Sequence, residues 1–235
     1  MALPKIQTMT YELELPSTAE KVKYRPFLVK EQKILMQAHE SEDPDDINNS
    51  LATIISQCTF NKVDPWKLPS FDAEYLFLKI RGKSVGDKVK VSVVCPDDNE
   101  TRVDIDVNLE DVNVTMPLDH SNEIELLEGI KLVMTYPTLK DIGAVEKVEG
   151  ETDQLFTMLK RCIFQIHEGD TIHQNVDMDQ DELEEFINSL STEHLEKINE
   201  FFDTMPKLTH AIKVKNPNTK KTGEVLIEGI QSFFD

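Results

Sequence analysis

Residues 88–107 read KVKVSVVCPDDNETRVDIDV, and this stretch decides the fold class. Val89, Val91, Val93 and Cys95 alternate with Lys88, Lys90 and Ser92. After a polar turn at Asp97, Asp98 and Asn99, Val103, Ile105 and Val107 alternate with Arg102, Asp104 and Asp106. Successive side chains of a strand point to opposite faces, so strict alternation on both sides of a turn predicts an antiparallel hairpin with one buried face. Cys95 completes the inward valine stripe, where a thiol acts as a small hydrophobe.

Upstream, residues 6–29 read as another hairpin, turning at Pro16-Ser17-Thr18-Ala19. Pro26 lacks a backbone donor and marks the returning strand as an edge. A helix is expected over about 30–40. A second follows, capped by Asp45 or Asp46, with Ile47, Leu51, Ile54, Ile55 and Cys58 on one face. A third, capped at Ser70, runs through FDAEYLFLKIRGKS; it is apolar on most sides and is expected at the centre of the core.

Downstream, strand is expected at 112–116 and 123–136. Thr138 and Asp141 form a capping box for a helix to about 149. Leu155, Leu159, Cys162, Ile163 and Ile166 define the face of the next helix. Two more helices follow, with Ser191 as the cap between them, and then a hairpin at 209–229. Helix 70–84 before hairpin 88–107 is echoed by helix 192–204 before hairpin 209–229. The class is therefore α+β, with antiparallel hairpins, helical segments and two helix-then-hairpin units. The expected domains are residues 1–136, with hairpins and three helices, and residues 137–235, a helical bundle with a terminal hairpin.

Charge narrows the function. Asp and Glu total 44 against 25 Lys and Arg, a net charge of −19. Nucleic-acid binding depends on cations that neutralise phosphates, so it is disfavoured, as is an anionic membrane surface. Three scattered cysteines, Cys58, Cys95 and Cys162, do not form a disulfide framework and fit a reducing compartment. The opening residues do not read as a signal peptide, and the expected place of synthesis is the cytoplasm.

Reaction chemistry has no anchor in the sequence. Asp177, Asp179 and Asp181 begin like a calcium loop, but Glu182 stands where that loop needs Gly and Asn188 where it needs Glu. His39, His120, His167, His173, His194 and His210 lack metal-ligand spacing, and no phosphate-cradling glycine loop or nucleophile elbow is present. Cys95-Pro96 resembles half of a zinc knuckle, yet the second hairpin's apex, Asn216-Pro217-Asn218, supplies no thiol. The expectation is a protein without catalysis, cofactor or metal. Its adjacent terminal aromatics, Phe233 and Phe234, either dock on the parent core, the more common case, or anchor in a partner.

A family resemblance rests on residues 2–42 above all. A hairpin runs into Lys23-Tyr24-Arg25-Pro26-Phe27, and Val29-Lys30-Glu31-Gln32-Lys33 then opens a helix. With residues 71–81, Lys83-Ser84-Val85-Gly86 and the ending Gly229 to Phe234, this resembles the baseplate-hub family of T-even-type contractile bacteriophages, the product of gene twenty-six. The resemblance implies a hub subunit in the virion tail baseplate, assembled in host cytoplasm and oligomeric only within that assembly. Its implied partners are other hub and tail proteins, with the tape-measure protein among the candidates. A transient assembly chaperone, absent from the mature virion, is the alternative. Tyr24, Arg25, Phe27, Phe233 and Phe234 are the candidate partner-binding residues.

Overall fold

A computed structural model describes residues 8–41 and 44–233. The chain is α+β. In order it forms β1 (Tyr11–Glu14), β2 (Lys21–Tyr24), α1 (Val29–Ser41), α2 (Pro44–Cys58), α3 (Ser70–Val85), β3 (Lys88–Val94), β4 (Arg102–Asn108) and β5 (Asn113–Thr115). There follow β6 (Glu123–Leu127), β7 (Ile130–Met134), α4 (Leu139–Val145), α5 (Glu151–Cys162), β8 (Ile163–Glu168), β9 (Thr171–Gln174), α6 (Gln180–Asn188), α7 (Thr192–Thr204), β10 (Lys207–Lys215) and β11 (Thr222–Glu228).

The chain divides into two compact units, one of Met1–Thr115 with Lys207–Asp235 and one of Met116–Pro206. The expected boundary between residues 136 and 137 falls elsewhere for a physical reason. It separates β7 from β8, which pair directly (Leu132 opposite Ile166), and it removes β10 from β5, where Leu208 lies opposite Val114. Strand pairing across long sequence separations sets the units, and local pattern does not carry that information.

In the first unit the alternation of residues 88–107 does what it predicts: Val89, Val91, Val93, Cys95 and Val107 are buried. They share a core with Leu78 of α3, with Ile212, Val214 and Ile227 of the β10–β11 hairpin, and with Phe233. The central helix is α3, whose Ala73, Leu76, Leu78 and Ile80 are all 0% exposed. Ser70 is its first residue rather than its cap. Pro69 holds the cap position, and its carbonyl accepts from the amides of Asp72 and Ala73. On α2, Leu51, Ile54, Ile55 and Cys58 are buried, but Ile47 is exposed, so the apolar face starts a turn later than expected.

The second unit is a four-stranded antiparallel sheet, ordered β6-β7-β8-β9, covered on one face by residues of α5, α6 and α7. The Thr138–Asp141 capping box forms, and Ser191 caps α7 with His194 as its reciprocal partner. One expectation needs correction. Ile163 and Ile166 belong to β8, not to the helix before it. There Asn175 Nδ2 donates to the carbonyls of Lys160 (3.1 Å) and Ile163 (2.8 Å), occupying acceptors that a continuing helix would fill. The short β9 is exposed throughout, and its Thr171-Ile172-His173-Gln174 carries no apolar alternation.

Candidate functional site

The segment expected to bind partners is instead an internal lock of the first unit. Tyr24, Arg25 and Phe27 are buried at 4%, 9% and 8% exposure. Arg25 Nη2 donates to Glu31 Oε1 at 2.8 Å, and the other oxygen of Glu31 accepts the Leu28 amide at 2.8 Å as α1 begins. Burial opposes ionisation of Glu31, but donation from Arg25, the Leu28 amide and Lys30 outweighs it and holds the carboxyl below its ordinary range. Phe27 N–H donates to Ser84 Oγ at 2.8 Å, tying the segment to α3. The β1–β2 turn is tied to α3 as well, through Ser17 N–H donating to Asp72 at 3.1 Å. These side chains therefore hold the first hairpin to its own unit. Phe233, 1% exposed, docks on the parent core; Phe234 lies outside the described residues.

The two hairpin apices meet within the same unit. In each, an X-Pro step is followed by a residue at positive φ, Asn99 at 55° and Lys220 at 65°. In each, that residue's amide donates back to the first carbonyl, Asn99 to Cys95 and Lys220 to Asn216, both at 3.0 Å. Asn216, only 1% exposed, donates through Nδ2 to Asp97 Oδ1 (2.9 Å) and Asp98 Oδ2 (2.8 Å). Its Oδ1 accepts the amides of Asn218 (2.8 Å) and Thr219 (3.2 Å). Thr219 Oγ1 also donates to Asp97, and Asn218 Nδ2 to Thr101 Oγ1 at 3.1 Å. Asp97 is held below the ordinary carboxylate range chiefly by donation from Thr219, and Asp98 chiefly by donation from Thr101. Amide, hydroxyl and carboxylate groups thus clamp two tips of matching backbone shape. Cys95 is buried beside them in the valine stripe.

Among the described residues, no three His, Cys, Asp or Glu side chains are grouped to hold a metal ion. Asp179, in the segment that begins like a calcium loop, caps α6, its side chain accepting the Asp181 amide. Burial pushes the Cys58 thiol up to about 11 and the Cys162 thiol to about 12. A concavity of about 510 Å³ in the first unit is flanked by Lys79 and Lys83. Lys79 Nζ donates to the carbonyls of Leu109 (3.0 Å), Glu110 (2.9 Å) and Val112 (2.9 Å), while Lys83 pairs with Glu110 and Asp87. Both cations are engaged in holding the loop after β4.

Charge is segregated along the chain. Residues 116–206 carry 21 Asp and Glu against 6 Lys and Arg, a net of −15; all other residues carry 23 against 19, a net of −4. Composition alone holds this signal, but only once the unit boundaries are known.

The chain is thus an α+β protein whose negative charge is concentrated in one of its two units. The family model described as T4 bacteriophage base plate protein matches residues 8–235, and the chain belongs to that family. It is thus a phage baseplate protein, with a structural role in the virion tail. No curated protein and no solved structure matches the chain.

Proposed function

We propose that this chain is a hub subunit of a contractile-tail baseplate, of the gene-twenty-six kind, that binds neighbouring tail proteins and takes part in tail assembly in the host cytoplasm. The observation that carries the reading is the family match over residues 8–235, which spans the described residues of both units. Its physical support is the acidic second unit, since like-charge repulsion keeps free subunits apart while complementary charge steers a basic partner into place. The protein acts by binding, without catalysis or cofactor.

Quantitative mass spectrometry of purified mature tails tests this. A fixed, stoichiometric amount of the chain per tail supports the hub reading. Presence in hub intermediates with absence from mature tails replaces it with the assembly chaperone. Cell-wall turnover by the purified chain, abolished by changing a single carboxylate, overturns the non-catalytic reading.

A further inference from the structure

Within the acidic unit, an open groove of about 270 Å³ lies between the inner face of the sheet and α6. Its lining includes Ile166 and Leu183, 7% and 1% exposed, and the half-buried Ile130, Met178 and Phe186. Glu168, Glu182 and His173 complete it. Val176, two residues before Met178, is 84% exposed. Ile130, Met178 and Phe186 are incompletely buried by the unit itself, and Met, unbranched and flexible, adapts to an incoming side chain.

The groove borders an open strand edge. The sheet ends at β9, and all four β9 residues are exposed. The cross-strand row Leu132, Ile166, His173 ends at His173, which lines the groove. A strand added outside β9 would extend that row, placing an inward side chain next to His173 and over Met178 and Phe186. Main-chain pairing would supply affinity, and the groove would supply selectivity.

The charge around the groove selects the occupant. From Asp177 to Glu185 there are six carboxylates and no Lys or Arg. Glu184 pairs with Lys160 and Asp179 caps α6, but among the described residues no ion pair engages Asp181, Glu182 or Glu185. Glu168 and Asp170 add two carboxylates around the β8–β9 turn. An acidic segment would be repelled, and a purely polar one would leave the apolar lining uncovered.

We propose that this groove and the β9 edge form a docking site for an extended, basic segment of another protein, with an apolar anchor side chain flanked by Lys or Arg. The inference rests on the proposed function only in taking that protein to be a baseplate neighbour.

The test uses the full chain and a synthetic peptide of alternating Lys with Val or Leu, followed by amide chemical shifts in NMR. An otherwise identical peptide with Glu in place of Lys is the control. Shift changes confined to residues 166–186, tenfold or greater weakening in the E182K/E185K variant, and no binding of the Glu peptide are expected. Both substituted side chains are exposed, so the variant keeps its fold, which its circular dichroism checks. Shifts spread over the other acidic faces, or equal binding of both peptides, would overturn the proposal. Cross-linking of assembled tails separates the two readings. Links from Glu182 or Glu185 to a neighbour's lysine support both, and links elsewhere on this chain remove the groove but leave the hub reading. Absence of the chain from tails and hub intermediates removes the hub reading, and the peptide arm still decides the groove.

Discussion

Asn216 and Asp98, 118 positions apart, are joined by a 2.8 Å hydrogen bond across the two apposed hairpin tips. Asn216→Ala removes this donor, its companion bond to Asp97 and the acceptor for two amides of its own turn. Asn216 is buried while its carboxylate partners reach solvent, so deleting it costs about 1 kcal/mol or somewhat more. Hydrogen exchange should quicken at residues 95–101 and 216–222, with the second unit unaffected. A uniform loss of protection in both units would contradict the local clamp.

The same clamp carries a pH dependence. Asp97 and Asp98 are held below the usual 3.8, so each releases its proton more readily in the folded chain than in the unfolded one. Their contribution is fully present above about pH 4 and is lost as pH falls through the depressed values. Acid titration of wild type against the Asp97→Asn/Asp98→Asn variant should show the wild type's advantage at pH 6 shrinking below pH 3. An advantage that stays constant over that range would remove the carboxylates from the clamp.

Gly223 approaches the other tip so closely that a Cβ there would lie 2.5 Å from Pro96 Cγ. The proline ring cannot swing aside, so Gly223→Ala forces the tips apart at a cost of about 1–3 kcal/mol. Pro96→Ala removes the obstructing ring atoms. Urea unfolding of the four proteins in the double-mutant cycle should show that Gly223→Ala costs markedly less in the Pro96→Ala background. Equal costs in both backgrounds would place the strain elsewhere.

How much of this was legible beforehand depended on the range of the interaction. The 88–107 hairpin, the Thr138 and Ser191 caps and the central position of α3 follow from spacings of two to four residues, and each is observed. The burial of Tyr24 carried a signal too, because Val22 and Tyr24 alternate with Lys21 and Lys23 on one strand. An aromatic on the apolar side of that alternation faces inward, and this outweighs its appeal as an interface anchor. The matched tips Cys95-Pro96 and Asn216-Pro217 were visible as motifs, but their apposition depends on packing between hairpins more than a hundred residues apart. The groove beside β9 was illegible for a similar reason: its apolar lining comes from β7, β8, α6 and the segment before α6, and its strand edge lacks alternation.

Arg25 and Glu31 make an ion pair whose side chains are 11% and 0% exposed. Arg25→Ala leaves the Glu31 carboxylate in the interior with only Lys30 Nζ, at 3.2 Å, and the Leu28 amide as partners, a loss of about 3 kcal/mol, the low end for a broken buried pair. Replacing both partners with apolar residues of similar size, Arg25→Met with Glu31→Leu, removes the under-compensated charge and should recover much of that loss. It also removes the acceptor for the Leu28 amide at the start of α1, so recovery stays incomplete. Thermal unfolding of the single and double variants checks the order. A double variant no more stable than Arg25→Ala would show that the segment is held by something other than this pair.

Glu74 on α3 is half-buried, and burial raises its carboxyl to about 7, partly offset by donation from the Ile230 backbone. A carboxyl raised in the folded state keeps a proton that the unfolded chain releases near pH 4.5, so stability declines as pH rises from about 4.5 to 7 and then levels. Glu74→Gln imitates the protonated form and removes that decline. The variant should match wild type at pH 4.5 and exceed it by about 1–2 kcal/mol at pH 8, read from urea unfolding. Because only the difference between the two proteins is read, titration of other groups such as His120, which burial lowers, cancels. A difference that does not change between the two pH values would mean that the folded chain holds Glu74 ionised throughout.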